Sequence, residues 1–211
     1  MTIGRECEAK KISSVLLCAG QSSRMGQEKA LLRVGNETVI TRILNNLYPI
    51  SESIIIVVSK NFEKIKQHLT GSYLELTNVH LVVNESAEKG MFTSIKKGLS
   101  HATRDLPTLL HMIDQPFVPE EIYGKLIENL DIEHQIFQPS TIVDDLPRAG
   151  HPIIFNPQFR DFVISQPDDS NLRELIRQHT SKRKFLEVED NRILQNLNTI
   201  EDFEKYKEIE N

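Results

Sequence analysis

Cysteine and tryptophan are scarce in this sequence: its 211 residues include 2 cysteines and no tryptophan. Cys7 and Cys18 are not spaced as CxxC and have no histidine nearby, so neither a zinc site nor a disulfide framework is indicated. No apolar run approaches the ~20 residues that a membrane-spanning helix needs, and residues 1–11 do not resemble a signal peptide. We therefore expect two reduced thiols in a soluble, cytoplasmic protein without a membrane partner.

Excess positive charge is also missing, because 25 Lys and Arg stand against 30 Asp and Glu and give a net charge of −5. This balance argues against a protein that binds nucleic acid by bulk charge. No internal repeat, low-complexity tract or Pro/Gly/Ser-rich linker is visible, and 39% of the residues are hydrophobic. The composition predicts one folded domain over residues 1–211, preceded by a flexible tail at residues 1–11.

Short apolar runs alternate with segments of helical periodicity along most of the chain. The strands are predicted near residues 13–19, 53–58, 79–83, 108–113, 135–138, 151–155 and 185–188. The helices are predicted near residues 38–47, 61–69, 91–102, 157–164, 171–179 and 200–209, with Asn61 capping the second and a further helix opened by Pro119. Such alternation predicts βαβ units, a mainly parallel sheet and helices on both of its faces.

The most informative segment is LLCAGQSSRMGQEK at residues 16–29, directly after the first predicted strand. Glycines at both ends of the loop allow backbone N–H groups to face an anion, while Arg24 and Lys29 supply positive charge. The spacing fits neither a Walker loop nor GxGxxG. On position and composition alone, a solvated strand-to-helix loop is an equally good interpretation.

As a whole, this loop resembles the LxAGxSxRMGxxK signature of the nucleotidyltransferase superfamily that activates sugars, lipid-precursor alcohols and molybdopterin. Further landmarks are Asn84, the run GMFTSIKKGL at residues 90–99, DQP at 114–116 and GHP at 150–152. Together they resemble the molybdenum cofactor cytidylyltransferase branch of the MobA-like NTP transferase family. Two departures are Cys18 in place of alanine, and the stretch NLNTIED at residues 196–202, whose asparagines are closer to the guanylyltransferase branch.

The resemblance implies a fold and a set of site residues. The fold is three-layer α/β/α with a mainly parallel, mixed sheet of the Rossmann-like nucleotide-diphospho-sugar transferase type. Catalytic roles fall to Arg24 and Lys29, metal binding to Asp114 and Asn198 with Mg²⁺ as the cofactor, and acceptor binding to His151. The implied nucleotide-binding residues are Cys18, Ala19, Gly20, Gln21, Ser22, Ser23, Arg24, Met25, Gly26, Lys29, Asn84, Gly90 and Ser94.

Each of these residues also has a structural interpretation. Asp114 follows an apolar strand at the edge where ligands bind, and a carboxylate there suits Mg²⁺, although an Asx turn before Pro116 also explains it. Asn84 is also a routine strand terminator, and Gly90 and Ser94 are suited to starting a helix. We expect His111 to be a core residue.

The reaction implied is transfer of CMP from CTP to the phosphate of a molybdopterin-type cofactor, with release of pyrophosphate and delivery to a molybdenum hydroxylase. Three alternatives remain open: GTP as the nucleotide, a sugar phosphate or methylerythritol phosphate as the acceptor, and a nucleotide-binding delivery protein without turnover. A glycosyltransferase is disfavoured because DQP at residues 114–116 has a single carboxylate where those enzymes carry DxD.

Overall fold

The computed structural model describes residues 12–19, 28–199 and 201–203. The strands are β1 (Ile12–Leu17), β2 (Arg33–Val34), β3 (Glu37–Thr38), β4 (Ser51–Val58), β5 (Val79–Val83), β6 (Thr108–Met112), β7 (Ile136–Val143), β8 (Leu146–Ala149), β9 (Ile153–Phe155) and β10 (Arg183–Glu187). The helices are α1 (Val39–Leu47), α2 (Phe62–Leu69), α3 (Met91–His101), α4 (Glu120–Glu128), α5 (Pro157–Ser165) and α6 (Leu172–Gln178).

One large sheet organises the fold, in the strand order β10-β7-β9-β6-β1-β4-β5, with β8 paired to β7. Neighbours among β6, β1, β4 and β5 are parallel, as are β7 and β10. β9 runs antiparallel between β6 and β7 and makes the sheet mixed. The carboxyl ends of β1, β4, β5 and β6 therefore meet along one edge, which is where ligands bind in open α/β sheets.

Two hydrophobic cores lie on opposite faces of this sheet, because successive side chains of a strand point to opposite faces. Leu16 of β1 belongs to the core that also contains buried residues of α1, α2 and α4. Val15 and Leu17 belong to the core that contains buried residues of α3, α5 and α6. The arrangement confirms the predicted α/β class with helices on both faces.

Close packing between α3 and the sheet depends on Gly98. A Cβ at this position would collide with the side chains of Val15 in β1 and Val57 in β4. The helix therefore approaches the strands more closely than any other residue here would allow. This contact fixes where the first turn of α3 lies relative to the carboxyl edge of the sheet.

Most predicted elements are confirmed, with boundaries shifted by a few residues. The prediction that Asn61 caps α2 is wrong, since it occupies the cap position but its side chain accepts no helix N–H. The tail at residues 1–11 and most of the predicted helix at 200–209 lie outside the described residues. Within the described ranges, no helix is both long and apolar enough to cross a membrane.

Candidate nucleotide site

A cleft of about 400 Å³ opens at the carboxyl edge of the sheet, beside the ends of β1 and β6 and the first turns of α3. Parallel strands end here, so side chains from segments far apart in sequence converge. Its lining includes Cys18, Lys29, Glu88, Met91, Ser94 and Asp114. Several residues implied by the sequence resemblance therefore share one cavity.

Asp114 lies just beyond β6 and is tied to both neighbouring segments by backbone hydrogen bonds. The N–H of Ile113 donates to Leu17 O at 3.1 Å, and Asp114 O accepts from Leu197 N–H at 2.6 Å. The side-chain Oδ1 is buried and has no hydrogen-bond partner among the described residues. Burial raises the pKa of this carboxyl, while the charge of Lys29 acts in the opposite direction. A buried carboxylate oxygen without a partner suits a hard cation.

Lys29 begins a short 3-10 helix, Lys29–Leu31, and its side chain reaches the same cleft. Burial lowers the pKa of its ammonium group, and the charges of Asp114 and Asp202 counteract that shift. For both Lys29 and Asp114, burial outweighs the attraction between their charges. A bound polyanion would compensate the desolvation of Lys29, and a bound cation would compensate that of Asp114.

The segment that contains Asn198 lies beside Asp114, because the N–H of the neighbouring Leu197 donates to Asp114 O. Asp202 Oδ2 accepts from the N–H groups of Asn198 and Thr199, both at 2.9 Å, and Thr199 Oγ1 accepts from Asp202 N–H at 3.0 Å. This reciprocal pattern is a capping box, which fixes the backbone of Asn198 while its side chain stays exposed. The T-x-x-D spacing was a signal for Asp202 that the sequence analysis did not use.

The start of α3 is shaped by Gly90 and Asn84. Gly90 precedes the helix at φ +122°, a conformation that L side chains rarely adopt. The buried Asn84 amide donates to Thr93 Oγ1 and to Ser94 Oγ, both at 2.9 Å, and accepts from Ser86 N–H at 3.0 Å. Asn84 thus positions Ser94, which lines the cleft, and itself lines a separate groove of about 320 Å³.

Two histidines, the buried His111 and the half-buried His151, lie on the other side of the edge. His151 N–H donates to Ile193 O at 3.0 Å, and its Nδ1 is buried without a partner among the described residues. Burial lowers its pKa to about 4, so the ring is neutral near pH 7. His111 Nδ1 lies 2.9 Å from Met112 O and therefore carries the proton, while Nε2 accepts from Tyr123 at 2.7 Å. The core role predicted for His111 is confirmed.

Comparison with known proteins adds to this geometry. A family model described as MobA-like NTP transferase domain matches residues 14–183. The chain belongs to the MobA-like NTP transferase family. This MobA-like chain is 26% identical over 204 residues to the molybdenum cofactor cytidylyltransferase of Escherichia coli K12, covering 94% of this chain and 98% of that protein. It is 25% identical over 210 residues to a probable molybdenum cofactor guanylyltransferase of Methanosarcina mazei, covering 91% and 88%.

Solved structures resemble the MobA-like fold closely. Rv0371c from Mycobacterium tuberculosis H37Rv superposes with a TM-score of 0.78 at 20% identity, covering 94% of this chain and 99% of that one. The same protein in complex with manganese gives a TM-score of 0.76, covering 95% and 99%. Membership of the family makes the chain a nucleotidyltransferase.

Of the implied site residues, the described part of the MobA-like domain brings Cys18, Ala19, Lys29, Ser94 and Asp114 into one cleft. The remaining loop residues, Gly20, Gln21, Ser22, Ser23, Arg24, Met25 and Gly26, lie outside the described residues. The Cys18 thiol is buried, and desolvation with the nearby charge of Glu28 raises its pKa, which suits the predicted reduced form.

Metal binding by this cleft would rest on few protein ligands. The described ranges contain no group of three or more His, Cys, Asp and Glu side chains arranged to hold a metal. Mg²⁺ commonly keeps several waters and uses one or two carboxylates together with substrate phosphates. The unpartnered Asp114 Oδ1 fits that mode of binding, which makes a resident protein cage unnecessary.

Proposed function

We propose that this MobA-like transferase moves CMP from CTP to the phosphate of a molybdopterin-type molybdenum cofactor and releases pyrophosphate. The observation that carries the proposal is that Lys29 and the unpartnered Asp114 Oδ1 share one cleft at the carboxyl edge of the sheet. A Mg²⁺-bound triphosphate is stabilised by a cationic side chain and by a carboxylate that can bind the metal, and Lys29 and Asp114 would supply these two groups.

In the proposed reaction, an oxygen of the acceptor phosphate forms a bond to the α-phosphorus of the nucleotide. The bond between the α-phosphorus and the bridging oxygen to the β-phosphate breaks, and pyrophosphate leaves with that oxygen. The acceptor phosphate is already ionised near pH 7, so no protein base is required. Catalysis then depends on positioning and charge neutralisation.

The roles follow from the charges. Asp114, with Asn198 from the far end of the chain, would hold Mg²⁺, and the ion when bound supplies charge neutralisation to the phosphates. The manganese complex of Rv0371c supports a divalent cation in a related fold. Lys29 would bind the departing pyrophosphate, together with Arg24 and the backbone of the first loop, including Gly20 and Gly26. The nucleoside would contact the other lining residues, which include Glu88, Met91 and Ser94.

His151 is our candidate for contact with the acceptor. Its neutral ring has a buried Nδ1 without a partner in the described structure, and a buried polar atom of this kind calls for a ligand or water. The proposed setting is the cytoplasm, with transfer of the product to a molybdenum hydroxylase.

A guanylyltransferase is the second candidate, and one sequence observation favours it. Asparagine occupies both positions 196 and 198, in the form closer to the guanylyl branch, and a relative with 25% identity carries that name. The relative from E. coli and the run starting at Gly90-Met91 favour CTP.

The test is pyrophosphate release by the full chain with Mg²⁺ and CTP, GTP, ATP or UTP, each with and without molybdenum-loaded molybdopterin. Release that requires both CTP and the cofactor is the expected result. Dependence on GTP would identify the sister activity, and turnover of methylerythritol phosphate would replace the proposed acceptor. Nucleotide binding without release under all conditions would favour a delivery protein.

Removal of the metal is a further test of the proposed reaction. Chelation of Mg²⁺ by EDTA should abolish pyrophosphate release.

A further inference from the structure

Asn61 lies in the turn between β4 and α2, outside every motif that the sequence resemblance singled out. The residue is only 7% exposed. Nδ2 donates to Cys18 O at 2.8 Å and to Glu28 Oε1 at 2.9 Å, and Oδ1 accepts from Ser59 N–H at 2.9 Å. A single carboxamide thus uses both of its N–H groups and its oxygen within the protein.

The two acceptors of Asn61 stand at the two ends of the segment that carries the nucleotidyltransferase signature. Cys18 immediately follows β1, and Glu28 immediately precedes Lys29. The same turn makes a second bond to the first end, because Ser59 Oγ donates to Ala19 O at 3.2 Å. The β4–α2 turn therefore holds the exit from β1 and the entry to Lys29 in a fixed relation.

We propose that Asn61 is a positioning residue for the nucleotide, acting through Cys18 and Glu28 without touching the ligand itself. This inference rests on the proposed function of the cleft. Lys29 shares a peptide bond with Glu28, so the bond from Asn61 sets the point from which the ammonium group reaches the cleft.

The chemistry of this junction requires a carboxamide. A backbone carbonyl and a carboxylate both need donors, and the Ser59 N–H needs an acceptor. Aspartate at position 61 would keep the bond from Ser59 but place a negative oxygen against Cys18 O and Glu28. Alanine would remove all three bonds and leave a space. Either change should alter the spacing of the two ends.

The test compares Asn61→Asp and Asn61→Ala with wild type and with Asn78→Asp as the matched control. Asn78 also donates its Nδ2 to a backbone carbonyl, Ser51 O at 3.3 Å, but at the opposite edge of the sheet. The measurement is the Kd of CTP and of GTP with Mg²⁺ by calorimetry. Both Asn61 variants should bind the preferred nucleotide at least about tenfold more weakly, a change of about 1.4 kcal/mol. Asn78→Asp should bind as wild type does.

A second variant tests the contact between positions 61 and 28 itself. In Asn61→Asp/Glu28→Gln, the new carboxamide at position 28 can donate to the aspartate, so part of the affinity should return. A loss of affinity that did not depend on this contact would not be corrected by removing the charge of Glu28. Failure of Glu28→Gln to recover any affinity in this background would count against the proposed contact.

A third measurement does not depend on nucleotide. In a Cys7→Ser background, the buried Cys18 is the remaining thiol, and its alkylation rate reports how well the end of β1 is held. We expect faster alkylation in both Asn61 variants and an unchanged rate in Asn78→Asp.

The inference is overturned if wild type binds nucleotide and the Asn61 variants match it in both affinity and Cys18 alkylation. Weaker binding in these variants, without pyrophosphate release by wild type, would uphold the inference and reject the proposed function. Absence of nucleotide binding by wild type would reject both.

Discussion

Buried polar side chains are hydrogen-bonded differently at the amino-terminal and carboxyl-terminal edges of the main sheet. At the amino-terminal edge, hydroxyls pair across neighbouring strands, with Ser13 Oγ 2.6 Å from Ser53 Oγ and Ser14 Oγ 2.6 Å from Ser51 Oγ. The guanidinium of Arg160 adds bonds to carbonyls of the loop before β6, including Thr103 O at 2.8 Å. Thr108 Oγ1 and Arg183 Nε are exceptions at this edge, since neither has a partner in the described residues.

At the carboxyl-terminal edge, three buried side-chain atoms have no partner in the described structure. These atoms are Asp114 Oδ1, Gln115 Oε1 and His151 Nδ1. Unpaired buried polar atoms cost stability, and Asp114 lines the candidate cleft, where a ligand would pair its free oxygen. The contrast predicts that substitutions at the carboxyl edge reduce activity and those at the amino edge reduce stability.

Among substitutions at the carboxyl-terminal edge, Asp114→Asn should have the largest effect on activity. We expect the rate of pyrophosphate release to fall by a factor of about 10³, or ~4 kcal/mol of transition-state stabilisation.

The same substitution should also change stability. Burial raises the pKa of the Asp114 carboxyl in the folded state, so its charge destabilises the fold at pH values above its unfolded pKa. The variant should therefore melt at a higher temperature than wild type at pH 7, with a smaller gain at pH 4. A lower melting temperature at pH 7 would contradict the contrast.

Lys29→Met tests the cation of the same edge. If its ammonium group binds charge that develops on the departing pyrophosphate, kcat should fall by about 10². Steady-state kinetics with varied nucleotide and saturating acceptor would separate kcat from KM. A rise in nucleotide KM with unchanged kcat would show that Lys29 binds ground state and transition state equally.

Arg160→Ala tests the amino edge. Its guanidinium is buried and bonded to Thr103 O and Leu106 O, so truncation should lower the free energy of unfolding by about 3 kcal/mol. Urea denaturation measures this change. Arg177→Ala is the control, because its ion pair with Glu174 is exposed and contributes at most about 0.5 kcal/mol. Nucleotide affinity of both folded variants should equal that of wild type.

His111→Gln should change how stability depends on pH. Burial lowers the pKa of His111 to about 3, so between pH 6.5 and that value the unfolded chain binds a proton that the folded chain does not. The free energy of unfolding therefore decreases as the pH is lowered through this window, by about 1.4 kcal/mol per pH unit for one such histidine. Urea denaturation from pH 7 to pH 4 should show a shallower fall for His111→Gln. The exposed His80→Gln should leave the slope as it is.

The first part of the fold could be predicted from the sequence because each βα unit has a clear apolar period. The extension of β7 beyond Pro139 and the whole of β8 could not. β7 continues through Pro139 to Val143, although proline normally disfavours strands, and the carbonyl of Pro139 accepts from Gly150 N–H at 2.8 Å. The turn into β8 is made by Asp144 and Asp145, at φ 51° and 59°, a less recognisable signal than Asn-Gly.

The residues of the candidate site also divide into those that the sequence could place and those that it could not. Asp114 could be placed because it directly follows a predicted strand, and Cys18 because it lies near the carboxyl end of one, where ligands bind. Asn61 could not, since its partners Cys18 and Glu28 lie 43 and 33 residues away and no local pattern encodes such bonds. Local periodicity predicts elements, whereas contacts between loops depend on how those elements assemble.

The bond from Leu197 N–H to Asp114 O has a consequence for how the cleft is held together. The lining of the cleft comes from the end of β1, from the segment around Lys29 and from the middle of the chain up to Asp114. Leu197 lies outside that lining, so a chain that stops before it would keep the lining residues and lose a bond that holds the backbone of Asp114. Nucleotide binding would stabilise the lining segments together by mass action. The ligand would therefore link the stability of segments that lie far apart in the sequence.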